Sequence, residues 1–324
     1  MKITDTFRIL KGMKEGAFIP YITAGYPTPE FTSKLGRAIL DKGGDILELG
    51  IPFSDPIADG TTLQSGHERA LKAGMNIEKT FSVVEDIRQH TAKPLVFMSY
   101  YNIPLQYGLK SFFKRMEDTG VEGVIFPDLP VEESNVVIDI ANKYEREMVF
   151  LVAPTTTEKR LQKIKSLSMG FIYLVSVLGV TGARQSLENV TFETLTNVKQ
   201  VIGDKIPISI GFGISKPNHV KEVINAGADG AIVGSAIVDL LLRDTDDKTK
   251  LEDISKYITK GINCSLLIGV DISSNIDEGC KRFYNIKDKR NTKGVFFRAD
   301  TSKNIKTKEC VLIEGISEKE RIHS

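Results

Sequence analysis

The chain has 324 residues, with 43 Lys and Arg against 42 Asp and Glu, and a formal net charge of +1. That balance speaks against a general nucleic-acid or membrane-binding surface, and the length suffices for a sizeable core, as one large barrel or two smaller domains. The N-terminus shows no basic segment followed by an apolar run and a small-residue cleavage site, no apolar stretch is long enough to span a bilayer, and a cytoplasmic protein is expected.

In chain order, apolar β-branched runs alternate with amphipathic segments. After an N-terminal helix, residues 18–23 predict the first strand, and residues 31–40 predict a helix with Leu35, Ile39 and Leu40 on one stripe. Strand 45–49 is followed by helix 77–90, and strand 95–99 by helix 109–119, which groups Phe112, Phe113 and Met116. Strand 123–126 precedes helix 132–144, strand 148–152 precedes helix 158–167, and strand 171–176 precedes helix 192–201. Strand 206–210 leads to helix 217–226, which the run Gly227-Ala228-Asp229-Gly230 closes before strand 230–233. Gly234-Ser235 then opens a short helix, and residues 251–260 predict a last one. Several strands are apolar throughout, as expected when helices cover the sheet. Eight such runs suit a closed parallel barrel; a doubly wound open sheet gives the same alternation, and periodicity leaves both open.

From Asn263 the character changes, with frequent charge and isolated strand-like pieces at 266–272 and 294–298. Two parts are expected: 1–262 as the barrel and 263–324 as a poorly packed extension, with an appended β-rich module, a disordered extension or the product of a damaged reading frame as alternatives. All three cysteines, Cys264, Cys280 and Cys310, lie in the last part, so the barrel region holds no disulfide and no thiolate chemistry.

Chemistry is concentrated between Leu47 and Gly60. Glu48 sits near the end of an otherwise apolar strand, where a carboxylate is costly unless paired or used. For an arbitrary strand glutamate an ion pair is the better reading; the loop behind it, with Gly50, Pro52, Asp55 and Asp59, favours catalysis. Partial burial would raise the Glu48 pKa toward neutrality and suit proton exchange. Asp59 before Gly60 and Asp55 before Pro56 also read as turn residues. A divalent metal on Glu48, Asp55 and Asp59 lacks a His or further acid to complete an oxygen cage, so no metal is expected. After the last two barrel strands, Gly211, Gly213, Gly234 and Ser235 would let backbone N–H groups and a helix N-terminus approach a phosphate; the same glycines could serve as plain turns.

Six segments together resemble the tryptophan synthase alpha subunit family. They are Gly16 to Gly25, Leu47 to Gly60, Asp128 to Glu133, Gly179 to Ala183, and the pair Gly211 to Ser215 with Gly234 to Val238. They occur in the family's order from about residue 7 to about residue 262, and nothing past residue 263 matches. The resemblance implies an α/β fold of the TIM (β/α)8 type. It implies a lyase that splits indole-3-glycerol phosphate into indole and glyceraldehyde 3-phosphate. By resemblance, Glu48 is the general acid–base and Asp59 accepts the indole N–H. Thr181 and Gly182 belong to a lid over 178–185, with Thr181 bonding to Asp59 and Gly182 adding a phosphate donor on closure. By position in these motifs, Tyr21, Tyr100, Leu129, Phe212 and Ile232 are candidates for the indole pocket, and Tyr173 for the glycerol part; plain core is the alternative for each aromatic. The family implies no cofactor in this chain and a beta-subunit partner carrying pyridoxal phosphate, in an alpha2-beta2 heterotetramer. Ser54, Asp55, Pro56 and Ile57 would face that partner.

The chain departs from the family's common pattern in three places: Thr61-Thr62, Tyr21 where Phe is frequent, and Val177-Leu178. None removes a catalytic group. A non-catalytic subunit that activates the beta chain, a free-standing lyase, and another phosphate-binding barrel enzyme are the competing readings.

Overall fold

A computed structural model describes residues 1–176, 184–211 and 213–265. The lid segment 178–183 with Thr181 and Gly182, Phe212, and the tail from residue 266 lie outside the described residues.

The chain opens with α1 (Ile3–Met13), β1 (Ala17–Thr23), α2 (Pro29–Asp41) and β2 (Leu47–Gly50). Then come α3 (Thr61–Lys72), α4 (Ile77–Arg88), β3 (Leu95–Met98), α5 (Asn102–Tyr107), α6 (Leu109–Thr119) and β4 (Gly123–Ile125). Next are α7 (Asn135–Lys143), β5 (Glu147–Val152), α8 (Glu158–Leu167), β6 (Ile172–Val175), α9 (Arg184–Ile202) and β7 (Ile208–Gly211). The series ends with α10 (Pro217–Asn225), β8 (Gly230–Val233), α11 (Ser235–Leu242) and α12 (Asp247–Ser265). All eight strands pair in parallel and in sequence order, and β1 pairs with β8, so the sheet closes into a barrel.

Strand alternation sorts the side chains into two cores. Outward residues such as Phe18, Ile22, Leu47, Leu49, Phe97 and Ile210 pack under the helices. Inward residues such as Ile19, Tyr21, Ile46, Val96, Met98, Val149, Phe171, Tyr173 and Ile232 fill the barrel. Helix α1 closes the bottom with Ile3, Phe7 and Leu10, and the Phe7 ring lies 5.7 Å from that of Phe171. Its N-terminus docks on Glu147, whose carboxylate accepts from the Ile3 N–H at 2.8 Å and the Thr4 N–H at 3.3 Å.

Carboxylates also finish the strand starts on that face. Asp45 accepts from the Phe18 N–H, Glu122 from the Leu95 N–H and Asp229 from the Ile208 N–H, at 2.8, 2.8 and 2.9 Å. In each case the acid just before one strand satisfies the amide of the strand before it. Asp45 is therefore a cap, and its strand starts at Leu47 rather than at residue 45. Strand β7 likewise starts at Ile208, after Pro207, which has no N–H to donate.

Two helices, α3 and α5, were not predicted. Helix α3 buries just Gly66, His67 and Ala70, so it has no apolar stripe to detect. It approaches the barrel because Gly66 has no side chain: a Cβ there would sit 3.0 Å from Thr23 Oγ1 and 3.2 Å from Val238. Helix α12 is longer than expected. It starts near Asp246, whose carboxylate accepts from the Thr249 N–H at 2.9 Å, and reaches Ser265.

Candidate active site

The C-terminal strand ends surround a cavity of about 170 Å³. It is lined by Tyr21, Glu48, Met98, Tyr173 and Ile232 from the strands, and by Asp59, Gly60, Leu63, Gly213, Ile214, Gly234 and Ser235 from the segments above them. The strand residues are there because each is the last or next-to-last inward position of its strand. Two glycines make that layer possible. A Cβ at Gly50 would collide with the Tyr21 hydroxyl, and one at Gly211 with the Tyr173 hydroxyl. Both rings lean across strand ends that no larger residue leaves open.

Glu48 is 1% exposed, and neither carboxyl oxygen has a hydrogen-bond partner. Burial, and then the charge of Asp59, push its carboxyl up to about 8. At neutral pH Glu48 is a buried, protonated acid. An unsatisfied buried carboxyl in a cavity wall is what a site kept for a substrate proton looks like.

Asp59 is held from several sides. Its backbone N–H donates to Pro56 O at 3.1 Å, and its carbonyl accepts from the Gln64 side chain at 2.8 Å. Its Oδ2 accepts from the Tyr100 hydroxyl at 3.0 Å and lies 3.3 Å from His67 Nε2, whereas Oδ1 is buried without a partner. Tyr100 in turn accepts from the Ala58 N–H at 2.9 Å. Burial, reinforced by the neighbouring carboxylates, raises the hydroxyls of Tyr21, Tyr100 and Tyr173, so all three are protonated donors at neutral pH.

After β7 and β8, Gly213 has φ +73°, a conformation suited to glycine, and Gly234 precedes the first turn of α11. Ser235 is the first residue of that helix, where unpaired N–H groups favour an anion. Glu48 and Asp59 thus share one cavity with a helix N-terminus, which suits a substrate with a reacting ring at one end and a phosphate at the other.

The structure therefore gathers Glu48, Asp59, Tyr21, Tyr173, Ile232, Gly213, Gly234 and Ser235 around one space. Tyr100 does not line it but binds Asp59. Gly211 is not a lining residue either; its missing side chain makes room for Tyr173. Leu129 is buried in the layer between strands and helices instead of lining the cavity. Ser54, Asp55 and Ile57 are exposed on the loop before Asp59, Ile57 to 84%, whereas Pro56 is buried. Asp55 binds Ser54 and is not a cavity residue. Among the described residues no cluster of His, Cys, Asp and Glu could hold a metal ion, and no helix is long and apolar enough to cross a membrane.

Sequence reasoning missed Leu63, Met98, Ile214 and above all His67. Its signal was slight: one histidine, eight positions after Asp59, in a polar stretch with no predicted helix.

Comparison with known proteins agrees with this geometry. The family model for the tryptophan synthase alpha chain matches residues 7–263. The alpha chain of Methanothermobacter thermautotrophicus is 44% identical over 248 residues, 76% of this chain and 90% of that one. That of Methanosarcina acetivorans is 45% identical over 261 residues, covering 81% and 94%. Among solved structures, the tryptophan synthase alpha subunit of Legionella pneumophila superposes with a TM-score of 0.75 at 31% identity, covering 82% of this chain and 98% of that one. A chain of the tryptophan synthase α2β2 complex of Pyrococcus furiosus superposes with a TM-score of 0.72 at 37% identity, covering 77% and 98%. By sequence and by fold, this chain belongs to the tryptophan synthase alpha chain family, the indole-3-glycerol phosphate lyases.

Proposed function

We propose that Glu48 and Asp59 divide the chemistry of the retro-aldol cleavage of indole-3-glycerol phosphate. Glu48, protonated at rest, delivers its proton to indole C3. The ring becomes a cationic indolenine, and the Asp59 carboxylate beside the ring N–H stabilises the developing charge. The glycerol hydroxyl loses its proton to the Glu48 carboxylate as the carbon–carbon bond breaks. The electron pair of that bond returns to the ring, indole and an aldehyde result, and Glu48 ends protonated. The observation that carries this reading is the buried, unpartnered Glu48 carboxyl facing the same cavity as Asp59. Tyr21 and Ile232 supply apolar walls for the indole, Tyr173 reaches the glycerol part, and Gly213, Gly234 and Ser235 receive the phosphate. Thr181, Gly182 and Phe212 complete the lid and pocket in this reading, on family resemblance alone.

Alpha chains of this family carry no cofactor; pyridoxal phosphate belongs to the beta subunit. We infer that this chain docks on such a subunit through Ser54, Asp55 and Ile57, in an α2β2 assembly in the cytoplasm. The support is the exposed Ile57 in a loop whose next residue, Ala58, hydrogen-bonds to Tyr100 beside Asp59. We further infer that 1–262 is the functional barrel and 263–324 an appended segment, in keeping with the family match that ends at residue 263.

The test is indole release from indole-3-glycerol phosphate, with and without a beta subunit. Asp59→Asn should turn over far more slowly, though measurably, in both conditions. Ile57→Asp should keep the basal rate and lose the acceleration by the partner. Basal turnover unaffected by Asp59→Asn removes Asp59 from the mechanism.

A further inference from the structure

We propose that His67 is a positioning residue for the lyase reaction: as a neutral Nε2–H imidazole it holds Asp59 Oδ2, leaving Oδ1 for the substrate. The inference rests on the reading of Asp59 given above.

The ring has a defined hydrogen-bond direction. The Phe53 N–H donates to His67 Nδ1 at 3.3 Å. An Nδ1 that accepts carries no proton, so the proton of the neutral ring is on Nε2. Nε2 hydrogen-bonds with the Tyr21 hydroxyl at 3.4 Å, and Asp59 Oδ2 lies 3.3 Å from the same nitrogen, both partners buried. The Tyr21 hydroxyl also lies 3.4 Å from Thr23 Oγ1, so it can accept from His67 and donate to Thr23.

The ring is also rigidly placed. His67 is 2% exposed, on a helix pressed against the barrel through Gly66. Its two nitrogens tie the start of the active-site loop, at Phe53, to its end, at Asp59. Phe53 is further held by stacking on Tyr100, with ring centroids 5.0 Å apart and planes at 19°. Tyr100, by its hydrogen bond, and His67, by its nitrogen 3.3 Å away, therefore bracket the same carboxylate oxygen from two elements, the segment after β3 and α3. A carboxylate free to rotate would present either oxygen to the indole N–H; one clamped at Oδ2 presents Oδ1.

The experiment is steady-state indole release by the full chain carrying His67→Leu, His67→Gln, Asp59→Asn, or His67→Leu with Asp59→Asn. Leucine removes the donor, whereas glutamine keeps an N–H near the Nε2 position. His67→Leu is expected to lower kcat about tenfold or more with KM within about twofold. His67→Gln should recover most of the loss. The double variant should be no slower than Asp59→Asn alone, because the histidine acts through that carboxylate.

Wild-type kcat in His67→Leu, while Asp59→Asn is impaired, overturns the role of His67 and leaves the reading of Asp59 standing. An unimpaired Asp59→Asn overturns that reading itself. Equal losses in the leucine and glutamine variants, or additive losses in the double variant, overturn the donor role. Should His67→Leu fail to fold, nitrogen-detected NMR of the wild-type chain decides the matter, since the chain has four histidines to assign. Protonation at Nε2 of His67 is the expected result, and protonation at Nδ1 overturns the proposal.

Discussion

Replacing Glu48 by glutamine should separate stability from catalysis. The native carboxyl titrates at about 8 and the unperturbed one at 4.5. Because the folded value is the higher one, the native state retains a proton that the unfolded chain releases. This costs the fold nothing below 4.5, a growing amount between 4.5 and about 8, and a constant amount above that. At about 1.4 kcal/mol per unit, the penalty near pH 7 is about 3 kcal/mol. Glutamine has nearly the shape of the protonated acid and no proton to lose, so the variant escapes the penalty. Urea unfolding of both proteins from about pH 5 to about pH 8 should show the variant gaining on the wild type as pH rises, by about 3 kcal/mol at neutrality. Indole release by the same variant should fall about 10²–10⁴-fold, the usual contribution of a general acid–base. A stability difference that stays flat with pH refutes the reasoning about burial. Turnover within about threefold of wild type, far inside the usual general acid–base range, refutes the catalytic role.

Tyr100→Phe removes the donor to Asp59 Oδ2 and the acceptor for the Ala58 N–H; kcat should drop about tenfold, for roughly 1–2 kcal/mol of lost hydrogen bonding, with little change in melting temperature. Gly211→Ala forces the Tyr173 ring out of its place; it should cost about 1–3 kcal/mol in urea unfolding and raise KM. Phe7→Ala empties the bottom of the barrel beneath Phe171; it should destabilise by about 3–5 kcal/mol while kcat near the mouth is unchanged. Lys93→Met leaves the carbonyls of Leu40 and Gly44 without the ammonium that bonds them at 2.8 and 2.9 Å; a loss of about 1–3 kcal/mol should appear in thermal unfolding.

The alternation of apolar runs and amphipathic helices, the acid in the second strand and the loop carrying Asp59 were legible in the sequence, because each is a local pattern of residue type and spacing. Resemblance supplied what those patterns left open, namely the choice of a closed barrel and the lyase reaction. Closure itself is not local: it depends on pairing Ala17 with Gly230 across nearly the whole barrel. Helix α3 escaped notice because it packs through Gly66, His67 and Ala70 instead of an apolar stripe. With it went the histidine whose ring lies 3.3 Å from Asp59. Gly50 and Gly211 read as turn or phosphate glycines, and only the folded barrel shows each making room for a tyrosine hydroxyl from a neighbouring strand. Sequence thus determined which chemical groups stand at the barrel mouth and in what order. Tertiary structure decided which of them touch, because hydrogen-bond partners and close approaches are set by strands and helices far apart in the chain.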